Sequence, residues 1–265
     1  MSQTQMKKFG LIGHPIAHSL SPSLFKAAFD GKFPYDLIAG EDFEKSYIRF
    51  LEEYDGINVT APFKELAFSK ADIRSPECEA VGATNLLLKT PEGIKAYNSD
   101  YLGVRKWLKE SFCQDTQENP KGKTVLVVGY GGAGKAVAAA AESLGMSVTI
   151  MNRTVRNEGI KTLDDFCTEF RKAEIIIYNI PGPIPQMDEL SEDDFRGGET
   201  ASPKFILEAN YRNPSFTDEM IDRMKKANPL AEYIEGKIWL LYQAVTGYEI
   251  FTGETPDLEK MSKVL

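Results

Sequence analysis

Thr124-Val125-Leu126-Val127-Val128-Gly129-Tyr130-Gly131-Gly132-Ala133-Gly134 decides the fold. Thr124 to Val128 is an unbroken apolar run, which is how a strand of a parallel sheet covered on both faces reads. It runs into Gly129, Gly131 and Gly134, spaced G-x-G-x-x-G, and then into an alanine-rich helical stretch, Ala133 to Leu144. Strand, glycine loop and helix in that order are the context in which this spacing cradles a dinucleotide. The first glycine allows the tight turn, the second lets the backbone approach a pyrophosphate, and the third lets helix and strand pack closely. Gly132 and Ala133 lie in the loop where it opens the helix, whose N-terminal N–H groups and positive dipole end favour an anion. The alternative is a glycine turn kept for packing alone.

Downstream, Ser147 to Met151, Glu174 to Tyr178 and Lys204 to Leu207 read as strands, and Leu163 to Lys172 as a helix. The series predicts a doubly wound, Rossmann-like domain. The acidic residue that would bind a ribose 2′-hydroxyl is expected ~20 residues after the loop. Asn152-Arg153-Thr154 stands there instead, with Arg156 just after. An arginine fork pairs with phosphate oxygens, so the cofactor is predicted to be NADP rather than NAD. The other reading makes Arg153 and Arg156 solvated loop charges.

Upstream, Lys8 to Gly13, Tyr35 to Ile38 and Gly56 to Val59 read as strands. Pro22 to Phe29 and Phe43 to Glu53 read as helices, the first with Ser21 as N-cap and Pro22 at its first position. Ala83 to Leu88 and Ile94 to Tyr97 flank Pro91-Glu92-Gly93 as a hairpin. Leu102 to Ser111 is a predicted helix, and the polar stretch Gln114 to Gly122, with Pro120, a linker. Lys237 to Phe251 and Pro256 to Lys263 are helical and are expected to return to the first region. The fold is therefore α/β: an N-terminal α/β substrate domain (1–101 and 237–265) and a Rossmann-like doubly wound NADP-binding domain (102–236).

Two segments carry the chemistry. Asn58-Val59-Thr60-Ala61-Pro62-Phe63-Lys64 places a lysine on a short polar turn after a strand, and Asn98-Ser99-Asp100 offers it a carboxylate. A lone lysine is ordinarily a surface residue; at a strand end of an α/β fold it stands where sites are built. A paired ammonium can hand a proton to a reacting oxygen. The segment His14 to Pro22 adds Ser19 and Ser21. Ser21 is either a plain helix cap or a ligand of a carboxylate or polyol; Ser19 has no evident capping role. His14 and His18 are the only histidines and no other metal-type ligands cluster with them, so no metal is expected.

Composition narrows the classes. With 42% hydrophobic and 26% charged residues, the 265-residue chain reads as soluble and globular. A net charge of -8 argues against a nucleic-acid or anionic-membrane surface. The three cysteines, Cys78, Cys113 and Cys167, are far apart and read as reduced thiols. The polar start, Met1 to Lys8, has no signal-like apolar stretch, and no run has membrane-spanning length. A cytoplasmic location is expected.

Together these motifs resemble the shikimate dehydrogenase family over nearly the whole chain. Gly13 to Pro22 is similar to its G-x-P-I-x-H-S-x-S-P, Asn58 to Lys64 to its N-V-T-x-P-x-K, and Asn98 to Asp100 to its N-T-D. The resemblance implies reversible, NADP-dependent reduction of 3-dehydroshikimate to shikimate, a step of aromatic amino-acid biosynthesis. Lys64 and Asp100 would be the catalytic pair, Ser19 and Ser21 would bind the substrate carboxylate, and Thr60, Asn85, Tyr211 and Gln243 would complete the substrate site. Asn152, Arg153, Thr154 and Arg156 would hold the NADP phosphate. The substrate would lie in a cleft that closes on the cofactor. Departures fall at Asn179-Ile180-Pro181-Gly182-Pro183, at Glu208 where an aspartate is usual, in one extra residue between Tyr211 and Pro214, and at Glu235-Gly236-Lys237-Ile238-Trp239. Alternatives are a quinate or amino-shikimate dehydrogenase of the same fold, and a non-catalytic NADP-binding regulator. The protein would be a monomer or homodimer.

Overall fold

The computed structural model describes residues 6–112, 120–155, 158–198 and 200–265. The chain divides into two compact units, Met1–Gly103 with Leu241–Leu265, and Val104–Leu240.

The first unit runs β1 (Phe9–Gly13), α1 (Ser21–Ala28), β2 (Tyr35–Ala39), α2 (Phe43–Glu53), β3 (Gly56–Val59), α3 (Lys64–Ser69), β4 (Ile73–Arg74), α4 (Pro76–Val81), β5 (Leu86–Thr90) and β6 (Gly93–Tyr97), and enters α5 (Ser99–Phe112). Its six-stranded sheet has the order β2-β1-β3-β5-β6-β4. β1 pairs in parallel with β2 and β3, while β5 is antiparallel to β3 and β6. Phe9 to Gly13 are all buried, as a central strand between two covered faces requires. On one face Phe43, Tyr47, Phe50 and Phe63 pack over Ile12, Ile57 and Val59.

The second unit holds β7 (Thr124–Val128), α6 (Gly132–Ser143), β8 (Ser147–Met151), β9 (Ile160–Lys161), α7 (Phe166–Lys172), β10 (Ile175–Tyr178), α8 (Glu192–Arg196), β11 (Lys204–Glu208), α9 (Asp218–Ala227) and β12 (Ala231–Ile234). The sheet order β12-β11-β10-β7-β8-β9 is all parallel, and it reverses at β7. That is the doubly wound arrangement, with the glycine loop at the switch point. The final helices are α10 (Gly236–Thr252) and α11 (Leu258–Ser262). The C-terminal half of α10 returns to the first unit, where Phe251 stacks on Phe9 at 4.9 Å and Tyr248 meets Phe25 edge-on at 4.7 Å. Gly103 on α5 and Gln243 on α10 cross so closely that a Cβ at Gly103 would lie 2.5 Å from the Gln243 nitrogen.

Some expectations change. Ser21 is the first residue of α1 and not its N-cap; Leu20 stands at the cap, without a side-chain bond. Ser19 does have a capping role, because its Oγ accepts from the Ser21 N–H at 3.2 Å. Lys64 is not on a turn but opens α3, and Asp100 lies inside α5, which starts at Ser99 rather than Leu102. Of the expected linker, residues 114–119 lie outside the described residues, as does Cys113.

Candidate active site

In the first unit the lysine is placed by the turn after β3. The Thr60 N–H donates to Ile12 O and the Phe63 N–H to Thr60 O, while the Phe63 ring is buried against Phe43 at 5.5 Å. An apolar anchor thus fixes the residue just before Lys64. Asp100 is placed by the start of α5. Asn98 caps that helix, its Oδ1 accepting from the Tyr101 N–H at 3.0 Å, so Asp100 sits in the first turn at the positive dipole end.

One buried segment ties both placements together. Ala83, Thr84 and Asn85 are all buried. The Thr84 N–H donates to Lys64 O at 3.2 Å, Asn98 Nδ2 donates to Ala83 O at 2.9 Å, and the Ser99 N–H donates to Asn85 Oδ1 at 2.7 Å. The result is that Lys64 Nζ lies 2.5 Å from Asp100 Oδ2, with side chains 21% and 14% exposed. An ammonium in that position keeps protons beyond the one it gives the carboxylate, and enough exposure to present them to a ligand.

A second group adjoins the pair. Asn85 Nδ2 donates to Ser99 Oγ at 3.0 Å, and Ser99 Oγ donates to Gln243 Oε1 at 3.2 Å. Ser99, fully buried, therefore binds both amides. It uses Asn85 Oδ1 and one Asn85 N–H, and it leaves the Gln243 NH₂ as a donor pair. Sequence reading treats Ser99 only as a neighbour of Asp100; nothing in its type or spacing marks it as a hub. Asn58 joins in, Nδ2 donating to Asn85 O at 3.3 Å and Oδ1 accepting from Tyr35 at 2.8 Å. Ser19 Oγ and Ser21 Oγ lie 3.1 Å apart at the start of α1.

In the second unit the candidate anion site is made of backbone. Gly129 has φ +92°, open to glycine, and a Cβ there would meet Ile180 at 2.8 Å. A Cβ on Gly134 would fall 1.9 Å from Gly129 O, and around Gly131 nothing lies within 4 Å. α6 begins at Gly132 with no side chain capping it, so its first N–H groups are open to an anion. Asn152 Oδ1 accepts from the Tyr130 N–H at 3.3 Å and its Nδ2 donates to Thr154 O at 3.1 Å, pinning the loop to the end of β8. Arg153 and Thr154 are exposed beside it; Arg156 lies outside the described residues. The residues present fit a dinucleotide phosphate.

Tyr211 belongs to this second unit, apart from the other expected substrate ligands. Its loop is held by Glu208, fully buried at the end of β11, which accepts from the N–H groups of Ser215 at 2.5 Å and Phe216 at 3.2 Å and from the Tyr233 hydroxyl at 2.9 Å. The departure from aspartate thus sits at a satisfied structural carboxylate. Among the described residues no group of three or more His, Cys, Asp or Glu side chains is placed to hold a metal. No helix among them is long and apolar enough to cross a membrane.

Residues 11–87 match the model of the shikimate dehydrogenase substrate binding domain. Residues 85–194 match that of the NAD binding domain of D-isomer specific 2-hydroxyacid dehydrogenases. A shikimate dehydrogenase (NADP(+)) of Carboxydothermus hydrogenoformans is 30% identical, over 98% of this chain and 97% of that one. The crystal structure of shikimate 5-dehydrogenase from Thermus thermophilus in complex with NADP(H) and shikimate is 26% identical, with a TM-score of 0.77 and 98% of each chain covered. A quinate dehydrogenase from Corynebacterium glutamicum, in complex with NAD, shares the fold at 20% identity and a TM-score of 0.76, over 98% of each chain.

Proposed function

This chain belongs to the shikimate dehydrogenase family, and from that premise we propose that it interconverts 3-dehydroshikimate and shikimate with NADP, using Lys64 and Asp100 as its catalytic pair. The observation that carries the assignment of roles is the Lys64–Asp100 contact on its buried frame. When bound, the nicotinamide supplies the hydride in one direction and accepts it in the other. In the reducing direction Lys64 gives a proton to the carbonyl oxygen as that oxygen gains electrons; in the oxidising direction it takes the proton from the hydroxyl. Asp100 fixes the ammonium and accepts from a ring hydroxyl. Asn85 and Gln243, oriented by Ser99, donate to ring oxygens. Thr60 and Tyr211 touch substrate, and Ser19 and Ser21 hold its carboxylate at the other end.

Gly129, Gly131, Gly132, Ala133 and Gly134 supply the backbone that meets the pyrophosphate. Arg153 pairs with the 2′-phosphate, aided by Asn152 and Thr154; Arg156 is assigned the same task on sequence alone. A cytoplasmic location and a monomeric or homodimeric state complete the proposal.

The test is a spectrophotometric assay at the NADPH band. Purified protein is given shikimate and NADP⁺, then shikimate with NAD⁺, then quinate with each. The expected result is fastest turnover with shikimate and NADP⁺. Turnover of quinate alone would move the protein to the quinate branch of the fold, and NADP binding without turnover of either would make it a regulator.

A further inference from the structure

The start of α1 is surrounded by more hydroxyls than the two serines. Tyr248 on α10 is 2% exposed, and its hydroxyl donates to the Ser21 backbone oxygen at 3.1 Å. That bond fixes the Ser21 backbone and leaves the Ser21 side chain to Ser19, whose Oγ donates to Ser21 Oγ at 3.1 Å. Tyr35 gives its proton to Asn58 Oδ1 at 2.8 Å, and the two rings lie 6.2 Å apart. No lysine or arginine takes part in these contacts. Burial pushes both phenols up, so both stay neutral donors.

We propose that Tyr248 is a positioning residue for the carboxylate end of the substrate site: its hydroxyl clamps the Ser21 backbone so that the Ser21 hydroxyl, with that of Ser19, faces the anion. The inference rests on the assignment of Ser21 to the substrate carboxylate. A ligand anion held this way is recognised by directed O–H donors, which favour the planar geometry of a carboxylate, and not by a point charge. The same helix carries Gln243, so α10 reaches both ends of the substrate site.

The test compares Tyr248→Phe, Tyr35→Phe and Ser21→Ala with the unmodified protein. Each is assayed on shikimate and on the analogue whose carboxylate is replaced by hydroxymethyl, with thermal midpoints recorded. For Tyr248→Phe the expected result is a rise in KM for shikimate of ~3- to 10-fold, the loss of one ordinary hydrogen bond. The kcat and the KM for NADP⁺ should stay within about twofold. On the hydroxymethyl analogue the substitution should have no effect. Tyr35→Phe, which loses only the bond to Asn58, is the control and should raise KM less than Tyr248→Phe does; assays below the thermal midpoint serve if Tyr248→Phe is destabilised. Unchanged KM in Tyr248→Phe, with KM raised in Ser21→Ala, overturns this inference alone. Equal losses on both substrates also overturn it, since they mark a general packing role. An unchanged KM in Ser21→Ala overturns the carboxylate assignment and the inference together.

Discussion

The two units build their sites from opposite materials. In the first, side chains bind one another: Lys64 to Asp100, Asn85 and Gln243 to Ser99, Ser19 to Ser21. In the second, the proposed anion site is bare backbone, and the close contacts at Gly129 and Gly134 are ones a Cβ would destroy. A proton must be moved by a titratable group, whereas a pyrophosphate needs only N–H groups at close range. Substitutions in the first unit should therefore act on turnover or recognition with little change in shape, and substitutions in the glycine loop should act through shape.

The sharpest break between the two is Lys64→Ala. Turnover should fall ~10² to 10⁴-fold with KM for shikimate much less changed; steady-state kinetics checks it, and near-normal turnover would remove Lys64 from the chemistry. Next comes Arg153→Ala, which should weaken NADPH binding by ~10- to 100-fold, the worth of charge-assisted bonds, with NADH binding unaffected. Fluorescence titration of both cofactors measures this, and equal losses would reject the phosphate pairing. Gly134→Ala puts a methyl where Gly129 O stands, so the loop or helix must shift at a cost of ~1–3 kcal/mol. Cofactor affinity and thermal midpoint should fall together, while a fold-intact variant with normal NADP affinity would contradict the close-packing role.

A smaller effect concerns pH and the second unit alone. Burial pushes the Asp194 carboxyl up, but bonds from Ser191 and the Arg171 guanidinium outweigh it and hold the carboxyl below its ordinary value. Its stabilisation is therefore complete above the unfolded value of ~3.9 and is lost as pH falls through the lower folded one. Asp194→Asn should flatten the acid limb of the stability curve below about pH 4, measured by denaturant titration across pH. An unchanged limb would show that the ion pair contributes nothing.

The contrast also explains what was legible. A backbone site needs glycines at fixed offsets after an apolar strand, so Gly129 to Gly134 and the doubly wound order could be read directly. Lys64 and Asp100 could be paired only through motif and strand-end context. α3 and α4 escaped because each has six residues, too few to show a period of 3.6. α9 was readable in principle, with Thr217 as its cap, acids in its first turn and lysines in its last. Ser99 and Tyr248 were not readable. Their importance comes from partners 144 and 227 residues away, Gln243 and Ser21, and no local pattern encodes that.

The central claim is that Lys64 and Asp100 act as one proton-transferring unit, and a double-mutant cycle on kcat tests it most directly. Lys64→Ala, Asp100→Ala and the double variant are assayed with shikimate and NADP⁺ after circular dichroism has shown each to be folded. The expected result is strong non-additivity, the double variant being little slower than the slower single one. Losses that multiply would show two residues working independently and would contradict the claim.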